Sequence, residues 1–303
     1  MSLPAQSVNS LTSAAVLVQS HLRLGANADG GWGYYGGNAS RIEPTCWSLL
    51  AQVAGDVHVD VSHHSTFLAR CQRNDGWLVD APGLPVNIAF NAIAAFTWLT
   101  IPSLATSEMR QRLITVLTSS KGVQVPDIPS SMQNNRLQGW SWVDQTFSWV
   151  EPTAWAIVAL RKARATGLGT PAIDARIDEG QRLLVDRCCR DGGWNFGNAN
   201  MFQQDLRPYV PTTALGLLAL RDALAAPAAA RSITYLDTHW QEEPSSMAAG
   251  LSMIALRACD RPIDRIAARL LEHIPRTMAS NQILGLAVAA LALSDHQDHV
   301  FRS

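Results

Sequence analysis

Residues 139–160 read GWSWVDQTFSWVEPTAWAIVAL. A glycine–tryptophan turn leads through a short polar stretch into Glu151-Pro152-Thr153 and then an alanine- and leucine-rich run that is apolar on most faces. A helix that is apolar all round is buried on both sides. The same signal recurs as EPTCWSLLA at 43–51, VPTTALGLLAL at 210–220 and EPSSMAAGLSMIAL at 243–256, with a degenerate copy, LPVNIAFNAIAAF, at 84–96. The turn itself returns as DGGW at 29–32 and 191–194. A loop-then-helix unit repeated at this spacing means that the fold stacks one supersecondary piece, each unit burying its neighbour's apolar face.

Between the buried-type runs lie amphipathic ones, STFLARC at 65–71 and DEGQRLLVDRCC at 178–189, with another at 14–24. Helices polar on their outer side, alternating with helices apolar throughout, describe two concentric layers. Six inner helices are expected, beginning near Glu43, Pro85, Glu151, Val210, Glu243 and Met278. Six hairpins suffice to close a ring. The expected fold is all-α, an α6/α6 toroid over residues 1–303 as a single domain, with no linker to divide it. The interval 101–138 holds a further helix at 107–118 and a polar loop through Pro126, Pro129 and Asn135.

Composition agrees with a large core. Hydrophobic residues make up 47% of the 303 and charged residues only 16%. A net charge of −1 gives no electrostatic reason to expect nucleic acid as a partner. Five cysteines in no framework spacing read as reduced thiols in a cytoplasmic setting. The first residues lack a basic segment before their apolar stretch, so no secretory signal is expected. The longest apolar run, 283–293, is too short to span a bilayer and is expected as a buried helix.

Proline is favoured at the first helical position, and a glutamate before it sits at the positive end of the helix dipole. Every Glu-Pro-Thr is therefore first of all a helix start. On such a helix residues four apart share a face, which pairs Glu43 with Trp47 and Glu151 with Trp155. If that face lines the bowl, carboxyls ring the mouth above aromatic planes, a setting suited to positive charge. The alternative is that both tryptophans pack between the two helix layers. Asn87 and Asn91 form a similar pair, as cavity-lining groups or as satisfied core amides. Arg41, Arg136 and Arg207 lie near inner-helix starts, as an anion clamp or as solvated surface. Asp29 and Asp191 are expected to accept backbone hydrogen bonds within their turns. His58, His63 and His64 fall in a connecting segment without diagnostic metal spacing, and DHQDH at 295–299 reads as a solvated tail. No phosphate loop, serine elbow or cysteine–histidine dyad stands out, and no cofactor is expected.

At this point FLARCQRNDGW (67–77) resembles the glutamine–tryptophan repeat of squalene and hopene cyclases, and LLVDRCCRDGGW (183–194) is the same pattern with Cys188 in the glutamine position. The β subunits of protein prenyltransferases share the toroid and similar turns. The resemblance implies an isoprenoid lying in an apolar, tryptophan-lined central cavity. In the cyclases a D-x-D-D-T-A motif opens one inner helix, and its central aspartate protonates the substrate. Here the matching stretch is Trp149-Val150-Glu151-Pro152-Thr153-Ala154, which places Glu151 on the central acid. Trp149 and Pro152 stand where the flanking aspartates would. The resemblance therefore implies Glu151 as acid or base, with Glu43 as a second catalytic carboxyl. Trp47, Trp142, Trp149, Trp155, Asn87, Asn91, Arg41, Arg207 and Glu243 are the candidate substrate contacts. Without the flanking acids a buried glutamate is a weak acid, which suits a substrate already activated as a diphosphate or epoxide. Cys46 falls on the zinc-binding cysteine position of the prenyltransferases, but the other ligand positions do not match, and no metal is expected. The alternative is a non-catalytic toroid that binds a lipid, or whose rim holds a protein partner or makes a peripheral membrane contact.

Overall fold

Each tryptophan turn is bolted to the inner helix that follows it by one side chain, and this bolt sets where the helices lie. The computed structural model describes residues 5–56, 60–126, 133–294 and 300–301. Among these the inner helices are α2 (Ile42–Gly55), α4 (Ile88–Thr100), α6 (Val150–Ala163), α8 (Val210–Ala219), α10 (Ser246–Ala258) and α12 (Ile283–Leu293). The outer ones are α1 (Ala5–Leu24), α3 (Ser65–Cys71), α5 (Ser107–Ser119), α7 (Pro171–Asp186), α9 (Pro227–His239) and α11 (Asp264–Ala279). A two-residue hairpin joins β1 (Asn200–Met201) to β2 (Gln204–Asp205).

The fourth residue of α2, α6 and α8 is a threonine. The Thr45 hydroxyl accepts from the Trp32 N–H at 2.9 Å, the Thr153 hydroxyl from Trp140 N–H at 3.0 Å, and the Thr213 hydroxyl from Trp194 N–H at 3.0 Å. Each indole N–H then donates to the outer helix before it: Trp32 to Leu22 O, Trp140 to Leu117 O and Trp194 to Leu184 O, all within 2.8 Å. The Glu-Pro-Thr signal thus encodes a helix start and a clamp together. In the degenerate repeat Asn91 takes the threonine's place. Its amide accepts from Leu78 N–H at 2.7 Å and donates to Leu78 O at 2.9 Å. Leu78 accordingly stands where the other repeats have tryptophan.

The ring closes. Each inner helix packs on the next, and α12 packs back on α2. At one rim the first N–H of a helix is satisfied by the following repeat. Ile42 donates to Asp80 Oδ1, Ile88 to Trp142 O, Val150 to Phe196 O and Val210 to Glu243 Oε1. The hydroxyls of Ser246 and Thr277 join α10 to α11 at 2.7 Å. Ile283 N–H returns to Tyr34 O at 2.9 Å and completes the circle. An unpaired N–H at a buried helix start is costly, so this relay fixes the register of all six units. At the opposite rim Arg161 donates to the Leu218 and Ala219 carbonyls and Arg257 to Ser294 O. Phe301 stacks on Phe96 there at 5.3 Å.

Several expected boundaries move. The last inner helix begins at Ile283; Met278 lies in the final turn of α11, because the amphipathic pattern of 264–279 continues through it. The fifth begins at Ser246, capped by Ser245, and leaves Pro244 outside; the second begins at Ile88 rather than Pro85. In α2 and α6 the glutamate lies inside the first turn and the proline is the third helical residue, where the N–H still has no intrahelical acceptor. The helix expected near 107–118 is the outer helix α5 of the third hairpin, and the segment expected at 178–189 ends as helix at Asp186. Pro129, His58 and the 295–299 tail lie outside the described residues. Among the described residues no helix is long and apolar enough to cross a membrane.

Candidate active site

The second residue of each inner helix points to the barrel axis at the rim where the relay runs. These residues are Glu43, Ala89, Glu151, Pro211, Met247 and Leu284, and all but Ala89 keep some contact with solvent. One turn deeper come Trp47, Ile93, Trp155, Leu215, Leu251 and Val288, all buried. Trp47 and Trp155 belong to helices separated by α4, yet their rings meet edge to face at 5.3 Å. The two rings therefore cross the axis and do not pack between the layers. At 1% and 3% exposure they form the floor of a shallow cup. The barrel below them is filled.

Two carboxyls stand on the wall of this cup. Burial pushes Glu43 up to about 7; the Tyr34 hydroxyl, donating at 2.8 Å, pulls the other way, and the charge of Asp80 adds to the rise. Glu151 is pushed further, to about 8, first by burial and then by the charge on Glu43. Both keep a solvent path at the mouth while protein surrounds them elsewhere. Tyr34 is itself raised above the ordinary phenol range by burial and by Glu43. Asp80 is raised by burial, against the pull of the Ile42 N–H and of Arg41, whose guanidinium lies 3.6 Å away. The charge on Glu43 disfavours ionising Glu151, so Glu43 gives up its proton first and Glu151 keeps its own to higher pH.

Tyr34 and Asp80 were not among the expected site residues. The register of the repeat would have found them. Tyr34, Trp142 and Phe196 each lie two residues after a clamped tryptophan, and Asp80 lies two after Leu78. Tyr34→Phe removes the donor that favours the Glu43 carboxylate. The Glu43 titration is expected to rise by about one pH unit, measured by carboxyl NMR on the protein with labelled glutamate.

The remaining expected residues divide. Trp149 is the residue before α6 and stacks on Phe147 at 4.7 Å; Trp142 is half-buried and lends its carbonyl to Ile88. Asn87 is the helix cap of α4, accepting from Phe90 N–H at 3.0 Å. Asn91 is 0% exposed and spans Leu78, so as a substrate contact it is corrected to a core clamp. Asn91→Leu strands a buried N–H and C=O of Leu78 and is expected to cost about 2–4 kcal/mol, read from the urea midpoint. Glu243 holds the start of α8 at 2.9 Å. Arg41 and Arg207 stand at the starts of α2 and α8, opposite one another in the ring. Each is engaged on its own side, Arg41 with Asp80 and Arg207 over the Tyr209 ring, so the two do not converge on one anion. Asp29 accepts from Gly31 N–H and from the Ser40 hydroxyl, as a turn residue does. His64 is buried and bonds to Gly30 O. Cys46 is fully buried, and burial pushes its thiol up.

No family model and no curated protein sequence matches this chain. Solved structures do. The apo type II terpene cyclase MstE from Scytonema superposes with a TM-score of 0.63 at 15% identity, covering 96% of this chain and 98% of that one. The fold shared with it is an α/α toroid. A mannosidase of glycoside hydrolase family 76 from Bacteroides thetaiotaomicron matches at a TM-score of 0.60 and 12% identity, covering 96% and 98%. A β-1,3-1,4-glucanase from Paenibacillus gives 0.59 at 9%, covering 95% and 93%. At these identities the toroid is what is shared, and it serves both terpenoid and carbohydrate chemistry.

Proposed function

We propose that this protein is an acid–base enzyme of the terpenoid cyclase kind, acting on an isoprenoid that brings its own activating group. The observation that carries the reading is the Glu43–Glu151 pair above the crossed Trp47 and Trp155 rings, with Glu151 raised to about 8. A carboxyl neutral at physiological pH is a competent proton donor to a weakly basic oxygen. Bare alkenes demand a far stronger acid, and Trp149 and Pro152 add no carboxyl beside Glu151. An epoxide oxygen suits it. Glu151 protonates that oxygen and the C–O bond breaks. The cation is attacked by a chain alkene, and Glu43, held as carboxylate by Tyr34, takes a proton from the product cation. The net change is isomerisation, and the aromatic faces stabilise the positive charge in transit.

A second reading, hydrolysis of a glycosidic bond, is supported by the same pair of carboxyls in a shallow open cup, since such enzymes divide acid and base roles between two carboxyls held at different pKa values. The deciding experiment incubates purified protein and its Glu151→Gln variant with linear isoprenoid epoxides and diphosphates, with product analysis by gas chromatography–mass spectrometry. Oligosaccharides are run in parallel with a reducing-sugar assay. A cyclic product lost in the variant supports the cyclase. Sugar release lost in the variant transfers the role to glycoside chemistry. Neither, from folded protein, removes both and leaves lipid or partner binding.

A further inference from the structure

The rim opposite the cup gathers cations. Arg161 and Lys162 stand in the last turn of α6, and Arg221 follows the end of α8. All three line one small cavity, whose other walls are apolar, among them Phe96, Leu218 and Phe301. Its volume is about 10 Å³, the room that a single water-sized particle needs.

The charged donors at this cavity are poorly matched by their acceptors. Arg161 is 4% exposed. Its terminal nitrogens reach the Leu218 and Ala219 carbonyls and, at 3.4 Å, the Asp222 carboxylate. Its Nε–H has no acceptor among the described residues. An unbonded N–H on a buried charged group is costly. Arg221 donates to the Phe301 carbonyl at 2.8 Å, and Lys162 to the Val300 carbonyl at 3.3 Å. These are neutral acceptors for charged donors. The cations also oppose one another. Burial lowers the Lys162 ammonium, and the charge on Arg221 lowers it further. Burial brings Arg161 down to about 10; Asp222 pulls it back up, while Arg221 and Arg164 push it down. The carbonyl ends of α6 and α8 lie at the same rim and offset part of this charge. An anion among the three cations would supply the missing acceptor and relieve the repulsion.

We infer that this cavity is a halide site, in which one chloride accepts from the Arg161 Nε–H and from Lys162 and Arg221. The volume selects a monatomic anion, since phosphate or sulfate would have to displace Phe301. The lining suits a weakly hydrated ion, with charged donors on one side and hydrocarbon on the other. The site lies at the far end of the barrel from Glu43 and Glu151 and is independent of the reaction proposed for them. It bears on the cup all the same. Phe301 stacks on Phe96, and Phe96 meets the floor ring Trp155 at 6.3 Å, so the anion pins the segment that backs the floor.

The test is thermal melting of the whole protein in sodium chloride and in sodium gluconate at equal ionic strength. Screening is then the same in both salts, and gluconate is too large for the cavity. Wild-type protein melts roughly 2–4 °C higher in chloride, because the halide binds the folded state alone. Arg221→Gln and Lys162→Gln each lose that rise, whatever their own stability. Chlorine NMR reads the site without unfolding. Wild-type protein broadens the chloride line, added bromide narrows it again, and either variant broadens it much less. Wild-type protein that melts alike in the two salts overturns the site. So does a chloride rise, or a broadened line, that survives in both variants, because the halide then binds elsewhere.

Discussion

Glu151→Gln protein makes no measurable product at neutral pH and melts at a higher temperature than wild type at pH 9. The loss of activity follows from removing a positioned general acid, a step that contributes about 10²–10⁴-fold. The gain in stability follows from linkage. Glu151 titrates near the ordinary glutamate value of 4.5 in the unfolded chain and at about 8 in the fold. Below the unfolded value it is neutral in both states and the fold keeps its full stability. As pH rises, the unfolded chain ionises first, and stability falls until the folded carboxyl also ionises near 8. Glutamine is neutral throughout, so the variant escapes this fall by about 2 kcal/mol, a value discounted for the water at the mouth. Glu43, raised to about 7, leaves a smaller slope of the same sign in the variant. Thermal melts by circular dichroism at pH 5 and pH 9 read the difference. Equal melting of the two proteins at pH 9 would mean that the carboxyl is not buried as described. The pair also fixes the shape of the rate profile: with Glu151 protonated and Glu43 ionised as the working state, kcat/KM is a narrow bell centred between about 7 and about 8.

Trp194→Ala destabilises the protein by about 4 kcal/mol or more. The ring is 0% exposed, and truncating a buried tryptophan to alanine costs about 3–5 kcal/mol through lost burial and the cavity left behind. The indole also donates to Leu184 O at 2.7 Å, a carbonyl left without that partner in the variant. Collapse around the gap is restricted, because the face of Gly216 lies so close that a Cβ there would stand 2.6 Å from the ring. Trp142→Ala is the control. It removes a half-buried rim ring that lends only its backbone carbonyl to the fold, and it is expected to shift the urea midpoint far less. Comparable losses in the two variants would sink the distinction between clamping and rim tryptophans.

That distinction marks the limit of what the chain discloses. The helices were legible because their signal is local: α3 occupies Ser65–Cys71 and the apolar run 283–293 is the buried helix α12, although the start expected near Met278 lies at Ile283. The side to which Trp47 and Trp155 turn was not legible. A helix apolar on all faces carries no polar stripe to separate barrel axis from interlayer space. Asn91 misled for a related reason, since a buried amide that pairs with backbone has the composition of one that pairs with ligand. Asp80 was missed because its partner, Ile42, lies 38 residues away, across a repeat boundary. The asparagine's role and the aspartate's both emerge once the repeats are set in register on the clamped residue.

The bond from Ile283 to Tyr34 gives the molecule an order of assembly. Loops that close over long stretches of chain form late, after local hairpins have paid their entropy. During synthesis the turn that carries Tyr34, and with it the hydrogen bond to Glu43, emerges before the other five repeats, but its neighbour across the closure is the inner helix of the sixth. The nascent chain is an open arc whose two ends are the two sides of the Glu43 wall. The wall that carries Glu43 is complete only on the final turn of the ring, so the first repeat gains its second neighbour from the sixth.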